Sequence, residues 1–428
     1  MPAHGLRWSL VSLLVPSRLC GFALKTTPFR YISDMTNAST RRTVILAGGG
    51  TGGHLFPGIA VANELLAREP NTCVLFLGSE KPIERDILGR AGFEHVAIPS
   101  VSPSFSPTRI VPSLLNNWRA YRQARAIIAR ERPSVIVGLG GFASVPPVLA
   151  AWRAGVPIVL LEQNVVPGKA TRWLSRFAEV VCLPWPQAAN GLPRGTKTVV
   201  TGNPIRAEIA KLNESTHESF PHDVQASGEP NADSNDPSLT HRVGIETPTL
   251  LILGGSQGAS SLNTLVLDAF ASRRAELTDW RIVHQTGAAD LDAIRQRYAA
   301  LSLNADVQPF ITDMAAAYRH ATLVISRAGA TTLSELACAG LPAILVPLPT
   351  SAHDHQRLNA CLFANHSAAL VVGPPTLLAG TLQDSLAWLL NDRPRRDNLR
   401  QNLHGLAFPH AAGAVTDLIS QLLNARRS

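Results

Sequence analysis

Twice in this 428-residue chain a short aliphatic run ends in a glycine-rich turn that leads directly into a helical stretch: Val44-Ile-Leu-Ala-Gly-Gly-Gly50 and Leu250-Leu-Ile-Leu-Gly-Gly-Ser256. A strand that passes through such a turn into a helix opens a parallel α/β sheet, and here the alternation continues after each opening. Apolar strands are expected at residues 43–47, 74–77, 135–137, 158–161 and 180–182, then at 250–253, 282–284, 323–325, 343–346 and 369–371. Runs this continuously apolar suit parallel strands covered by helices on both faces. The pattern predicts an α/β protein of two Rossmann-like, doubly wound parallel-sheet domains facing across a cleft. At about 150 residues per domain the length permits it, and 45% apolar against 16% charged residues supplies two cores.

Residues 1–40 stand outside the alternation and are expected to be a disordered or upstream extension. Their apolar stretch makes a poor signal peptide, because Ser9 and Ser12 dilute it, Arg18 interrupts it and no small-x-small cleavage site follows. The expected functional start is Met35. The first domain is expected over 41–206 and the second over 248–408, with a C-terminal helix at 411–426 that periodicity alone assigns to neither. Between them, residues 213–247 hold many acids, one Arg242 and almost no core formers, the composition of a flexible insertion.

Net charge is +8, from 39 Lys and Arg against 31 Asp and Glu. That favours an anionic partner without choosing among nucleic acid, an acidic membrane face and a phosphorylated substrate. The cysteines Cys20, Cys73, Cys182, Cys338 and Cys361 are scattered without a Cys-x-x-Cys pair, which argues against a disulfide scaffold or structural zinc. No apolar run approaches the ~20 residues of a membrane-spanning helix.

The turn Gly48-Gly-Gly-Thr-Gly-Gly-His54 precedes a helix expected at 56–68, so its backbone N–H groups and the helix dipole can hold an anion. Gly48, Gly50 and Gly53 satisfy Gly-x-Gly-x-x-Gly literally. A dinucleotide site also wants an acid ending the second strand, and the nearest, Glu80, reads better as a helix-start residue. The bland alternative is a tight turn whose glycines serve strand–helix packing alone. Three more turns of this kind follow strands: Gly138-Leu-Gly-Gly-Phe-Ala-Ser144, Gly254-Gly-Ser-Gln-Gly-Ala259 and Arg327-Ala-Gly-Ala-Thr-Thr332. Four turns shared between two halves point to two phosphorylated ligands meeting in the cleft. None is followed by a Walker lysine, which argues against P-loop ATP hydrolysis. Glu335 beyond the last turn could accept two hydrogen bonds from a ribose diol, or merely cap its helix. Asp290-Leu-Asp292, the one short Asp-x-Asp, is expected on a solvated helix face, where i and i+2 diverge; no metal site is expected.

With these residues in place, the sequence resembles the MurG family, the bacterial N-acetylglucosaminyltransferases that convert lipid I to lipid II in peptidoglycan synthesis. The resemblance runs from about Thr43 to the end. It rests on Gly49-Gly-Thr-Gly-Gly-His-Leu-Phe-Pro57, Gly140-Gly-Phe-Ala-Ser144, Glu162-Gln-Asn164, Thr201-Gly-Asn-Pro-Ile-Arg206, Gly254-Gly-Ser-Gln-Gly-Ala259, His284-Gln-Thr-Gly287, Asp313-Met-Ala-Ala-Ala-Tyr318, Ser326-Arg-Ala-Gly-Ala-Thr-Thr-Leu-Ser-Glu335 and Asp354-His-Gln356. It departs at Thr171, where relatives often have Asn, and at His353, where an acid is common.

The resemblance implies a GT-B fold whose last helix returns to the first domain, and an inverting transfer of GlcNAc from UDP-GlcNAc to the MurNAc C4 hydroxyl of lipid I. It implies that UDP-GlcNAc is met by Thr51, Gly52, Gly53, Asn164, Arg206, Ser256, Ile311, Ala330, Thr331, Thr332, Leu333, Ser334, Glu335 and Gln356. Ser256 would hold the diphosphate, Ile311 the uracil, Glu335 the ribose diol and Gln356 the sugar hydroxyls. Gly49, Gly50, Gly140, Gly141 and Ser144 would cradle the acceptor pyrophosphate. His54 is the candidate base, since an imidazole can take up a proton near neutral pH; capping its helix or orienting the acceptor is the alternative. No tightly bound cofactor or metal is expected. Implied partners are lipid I, other cell-wall enzymes and the anionic cytoplasmic face of the plasma membrane, where the protein would be peripheral; nucleic acid is not among them. Ile110, Leu114, Leu115 and Trp118, flanked by Arg109, Arg119 and Arg122, suit an interfacial contact, although core packing explains the leucines equally well. Other readings are a UDP-sugar transferase for a different lipid acceptor, a non-hydrolysing UDP-GlcNAc epimerase and a non-catalytic nucleotide-binding regulator.

Overall fold

The computed structural model describes residues 42–50, 52–102, 110–213, 247–255, 258–351, 354–373 and 381–425. Expectations for residues 1–40, Met35, Thr51, Arg109, Ser256, His353 and nearly all of the polar insertion fall outside the described residues.

Two parallel sheets form two lobes. The first contains β1 (Thr43–Gly48), β2 (Cys73–Gly78), β3 (Glu94–Ala97), β4 (Val135–Gly140), β5 (Ile158–Leu161), β6 (Val180–Leu183) and β7 (Thr198–Val200), ordered β3-β2-β1-β4-β5-β6-β7. The second contains β8 (Thr249–Leu253), β9 (Arg281–Gln285), β10 (Ala305–Gln308), β11 (Leu323–Ser326), β12 (Ala343–Leu345) and β13 (Leu370–Val371), ordered β10-β9-β8-β11-β12-β13. In each sheet the order reverses beside the opening strand, between β1 and β4 and between β8 and β11. A doubly wound sheet leaves a crevice at that point, outside the carboxyl ends of its strands. The four glycine-rich turns therefore lie at the two switch points.

Strand alternation distributes the first core over both faces. Val44 and Leu46 pack with Leu55, Ile59 and Leu65 of α1 (Gly52–Arg68), Leu88 of α2 (Pro82–Arg90), and Val415 and Ile419 of the last helix, Ala411–Ala425. Ile45 and Ala47 pack against Ala120, Ala124 and Ile127 of α3 (Ile110–Glu131), Val148 of α4 (Val145–Arg153) and Leu174 of α5 (Lys169–Leu174). The chain then crosses to the second lobe by a packed route. Trp185, Ile205, Ile209 and Leu212 are buried in that lobe's core, and Trp185 meets Phe363 edge-on at 5.7 Å. Gly202 lets this happen: its φ is +80°, and a Cβ there would lie 2.1 Å from Phe408 Cβ.

Three sequence expectations need correction. Asp290 is not on a solvated helix face but precedes the helix Leu291–Ala300, where it accepts a hydrogen bond from Asn263 Nδ2 at 2.8 Å. Glu80 does not start a helix; the exposed residue precedes Lys81, and the helix opens at Pro82. The α3 leucines do not pack in the core, since Leu114 is 65% and Leu115 50% exposed.

His284 on β9 is fully buried, with Nδ1 2.9 Å from Tyr298 Oη and Nε2 3.1 Å from Asn263 Oδ1. Burial lowers its pKa from 6.5 to about 3. Below pH 6.5 the unfolded chain gains a proton that the folded chain refuses, so stability falls as pH drops from 6.5 towards 3. Between pH 7 and 5 this costs about 2 kcal/mol. Urea unfolding of wild type and His284→Gln at both pH values checks it, with the variant expected to lose correspondingly less on acidification. An identical pH dependence for the two proteins would exclude His284 as the cause.

Candidate active site

Two cavities meet in the cleft, one of about 550 Å³ set mainly against the second lobe and one of about 740 Å³ against the first. His54, Asn164 and His355 belong to the walls of both. His54 stands in the first turn of α1, half-buried, with Nδ1 2.8 Å from Gln163 Oε1. The Gln163 Nε2 group donates to the carbonyls of Leu139 at 3.0 Å and Leu161 at 3.3 Å, which orients the amide with its oxygen towards the imidazole. That oxygen can only accept, so Nδ1 carries the ring hydrogen and Nε2 keeps a lone pair. A Cβ on Gly141 would come within 3.6 Å of Nε2. The arrangement holds a hydrogen-bond acceptor at the boundary between two ligand-sized spaces.

Gly49, Gly50 and Gly141 line the first-lobe cavity. Gly50 takes φ +100° and Gly141 φ +71°, values that glycine adopts without a Cβ clash. Buried Glu84 braces the first turn, accepting from Gly50 N–H at 2.6 Å and from Ser79 N–H at 2.8 Å, while Lys81 Nζ donates to Gly50 O at 3.1 Å. Gly140 packs on the His54 ring rather than on the cavity, and the Ser144 hydroxyl is buried, donating to Gly141 O at 2.8 Å.

Gly52, Gly53, Asn164, Arg206, Ile311, Ala330, Thr331, Thr332, Glu335 and Gln356 line the second-lobe cavity. Leu333 and Ser334 turn away from it: Leu333 is in the core, and Ser334 Oγ donates back to Ala330 O at 3.0 Å. Glu335 is 2% exposed, accepting from Arg206 Nε at 3.0 Å on one oxygen and from Tyr318 Oη at 3.1 Å on the other. Burial pushes its carboxyl above the usual carboxylate range, opposed by the Arg206 charge and the Tyr318 hydroxyl. Arg206 also lies over the Phe56 ring, 4.7 Å from its centroid. Gln356 Oε1 accepts from Leu348 N–H at 2.9 Å. Arg327 adds a second cation to this wall, held by Val346 O at 3.0 Å and Ser261 Oγ at 2.6 Å.

The lobes are stitched together at these same residues. Pro57 has no N–H for the carbonyl four residues back, which leaves Gly53 O free; it accepts from Thr331 Oγ1 of the second lobe at 3.0 Å. Asn359, 1% exposed, accepts from Val165 N–H at 3.0 Å and donates to Asn164 Oδ1 at 3.1 Å. Among the described residues no group of three His, Cys, Asp or Glu side chains is placed to hold a metal ion.

Known proteins fit this arrangement. Family profiles match in tandem: the glycosyltransferase family 28 N-terminal domain over residues 44–183 and its C-terminal domain over 249–414. In Desulfotalea psychrophila a protein named UDP-N-acetylglucosamine–N-acetylmuramyl-(pentapeptide) pyrophosphoryl-undecaprenol N-acetylglucosamine transferase is 37% identical over 386 residues, 90% of this chain and 98% of that protein. One of the same name in Nitratidesulfovibrio vulgaris is 38% identical over 89% of this chain and 98% of its own. The crystal structure of Acinetobacter baumannii MurG superposes with a TM-score of 0.63 at 29% identity, covering 89% of this chain and 99% of that one. This chain belongs to the MurG family. A UDP-N-acetylglucosamine 2-epimerase structure also superposes, with a TM-score of 0.59, but at 13% identity it shares the fold alone.

Within this MurG-family site, several residues outside the expected set hold others in place. Gln163, Tyr318 and Glu162 lie inside the shared motifs, whereas Asn359 and Glu84 lie outside them and no local pattern marks them. Glu162 accepts from the backbone N–H groups of Gln163, Asn164 and Gly168 at 2.9–3.0 Å and so shapes the loop carrying Asn164. Replacing Gln163 by Met keeps the side-chain volume and removes the acceptor for His54 Nδ1–H. The expected result is a loss of about tenfold, the worth of roughly one hydrogen bond, falling on kcat. Steady-state kinetics check it, and a loss confined to KM would show that Gln163 does not act through the imidazole.

Proposed function

We propose that this chain transfers GlcNAc from UDP-GlcNAc to the MurNAc C4 hydroxyl of lipid I, with inversion, to give lipid II. The observation that carries the reading is His54, shared between the two cavities with its Nε2 lone pair uncommitted. The donor occupies the second-lobe cavity, with uracil beside Ile311, ribose at Glu335 and the sugar towards Gln356 and Asn164. The acceptor enters from the first-lobe cavity, its pyrophosphate over Gly49, Gly50 and Gly141. The acceptor oxygen attacks the anomeric carbon as its proton passes to His54 Nε2, and the bond from that carbon to the phosphate oxygen breaks with its electron pair leaving on UDP. Arg206 and Arg327, with the N-terminus of the helix Ala330–Ala339, stabilise the departing negative charge. In this reading no tightly bound cofactor or metal is needed.

Lipid I resides in a membrane, and no helix among the described residues is long and apolar enough to cross one. The enzyme in this reading lies on the cytoplasmic membrane face through α3, which exposes Val111, Leu115 and Trp118, with Arg122 4.8 Å from the Trp118 ring centroid. Exposed apolar side chains rimmed by arginine match an anionic interface. Changing Leu115 and Trp118 to Ser should release the protein from anionic vesicles without altering its melting temperature; undiminished sedimentation with vesicles would reject this face.

The activity is tested by following UDP release with and without lipid I. Release that requires lipid I and yields a β-1,4-linked product is expected. Conversion of UDP-GlcNAc without acceptor would indicate the epimerase reading, and tight UDP-GlcNAc binding without turnover a regulator.

A further inference from the structure

Beside the first-lobe cavity lies a groove of about 370 Å³ between α3 and the helices α4 and α5, which the reaction as described does not use. Its walls include Leu114, Tyr121, Phe142, Leu149 and Trp173, with Lys169 as its charged member. Phe142 and Lys169 also line the acceptor cavity, so one space opens into the other. Helix geometry separates this groove from the membrane face. Leu114, Asn117 and Tyr121 recur at i, i+3 and i+7 and point into it, whereas Val111, Leu115 and Trp118 lie about 90° further round α3 and face outward.

We propose that the groove binds the first isoprenyl units of the acceptor lipid, those adjoining its diphosphate. The inference rests on the acceptor assignment above. The occupant follows from continuity and charge: a ligand anionic at one end and hydrocarbon at the other matches a glycine-lined cavity passing, at the Lys169 ammonium, into an apolar trough. A bilayer surface meets the exposed Val111–Leu115–Trp118 face instead. The protein thus holds part of the lipid itself, and the lipid contributes to acceptor recognition in the absence of any membrane.

The test is a transfer assay without detergent or vesicles, using two soluble acceptors that share the MurNAc-diphosphate head. One carries a methyl ester, the other a ten-carbon prenyl chain kept below its aggregation concentration. Each buried methylene is worth about fourfold in affinity, so wild type should show a KM at least about tenfold lower for the prenyl acceptor. In Leu114→Gln and Trp173→Ala the ratio of the two KM values should fall towards one, with vesicle binding retained. Leu114 is 65% exposed, so its replacement carries little folding burden. Equal KM values for both acceptors in wild type, or an unchanged ratio in both variants, would overturn the groove assignment. So would variants that keep the ratio and lose vesicle binding, which would give the groove to the bilayer. Transfer to neither acceptor by wild type would refute the underlying acceptor reading, a distinct result.

Discussion

His54→Ala is expected to lower kcat by about 100-fold or more, the usual cost of losing a positioned general base, while the KM for UDP-GlcNAc changes little. The imidazole sits between the two cavities, and its Gln163 bond leaves Nε2 as the acceptor. If His54 only capped α1 or oriented the lipid-borne sugar, the loss would appear in the acceptor KM. Added imidazole separates these roles further, because a small base can restore proton transfer in the space left by the deleted ring but cannot restore a lost cap. Near-wild-type turnover by His54→Ala would remove His54 from the chemistry altogether.

Glu335→Gln should raise the KM for UDP-GlcNAc roughly 10- to 100-fold, the worth of a hydrogen bond to a charged group, with kcat largely retained. Both Glu335 oxygens accept a hydrogen bond, one from Arg206 and one from Tyr318. Each oxygen keeps a further lone pair, so a ribose hydroxyl can donate to Glu335 beside these partners. The sign of the pH effect follows from burial, which raises the carboxyl's pKa. Protonation on acidification removes the charged acceptor, so the wild-type donor KM should rise as pH falls, while the Gln variant stays flat. A 2′-deoxy donor supplies the control: wild type should discriminate against it and Glu335→Gln should not. Equal discrimination by both would mean that Glu335 does not read the diol.

The central strands and the four glycine-rich turns were legible because each expresses a local rule. A buried parallel strand must be continuously apolar, and a turn at a switch point must present backbone N–H groups, which favours glycine. The strands Glu94–Ala97, Thr198–Val200 and Ala305–Gln308 were not legible. All three are sheet edges, with Val199 and Val200 each 39% exposed and Asp306 within the third, so the apolar signal is missing where no neighbour covers the strand. The residues that orient the site were hidden for another reason. Gln163 lies 109 positions from His54, Asn359 195 from Asn164 and Glu84 34 from Gly50, distances over which periodicity carries no information. The Gln163 and Glu84 contacts arise only when the first lobe folds, and the Asn359 contact only where the two lobes meet; the Gly53 carbonyl left free by Pro57 and taken by Thr331 is a case of the second kind.

The most direct measurement is a crystal structure of the protein soaked with UDP-GlcNAc. The expected result is uracil against Ile311, the ribose hydroxyls donating to Glu335, and the anomeric carbon open towards His54. Nucleotide bound in the first-lobe cavity, or a sugar facing away from His54 with no ribose hydroxyl on Glu335, would contradict it.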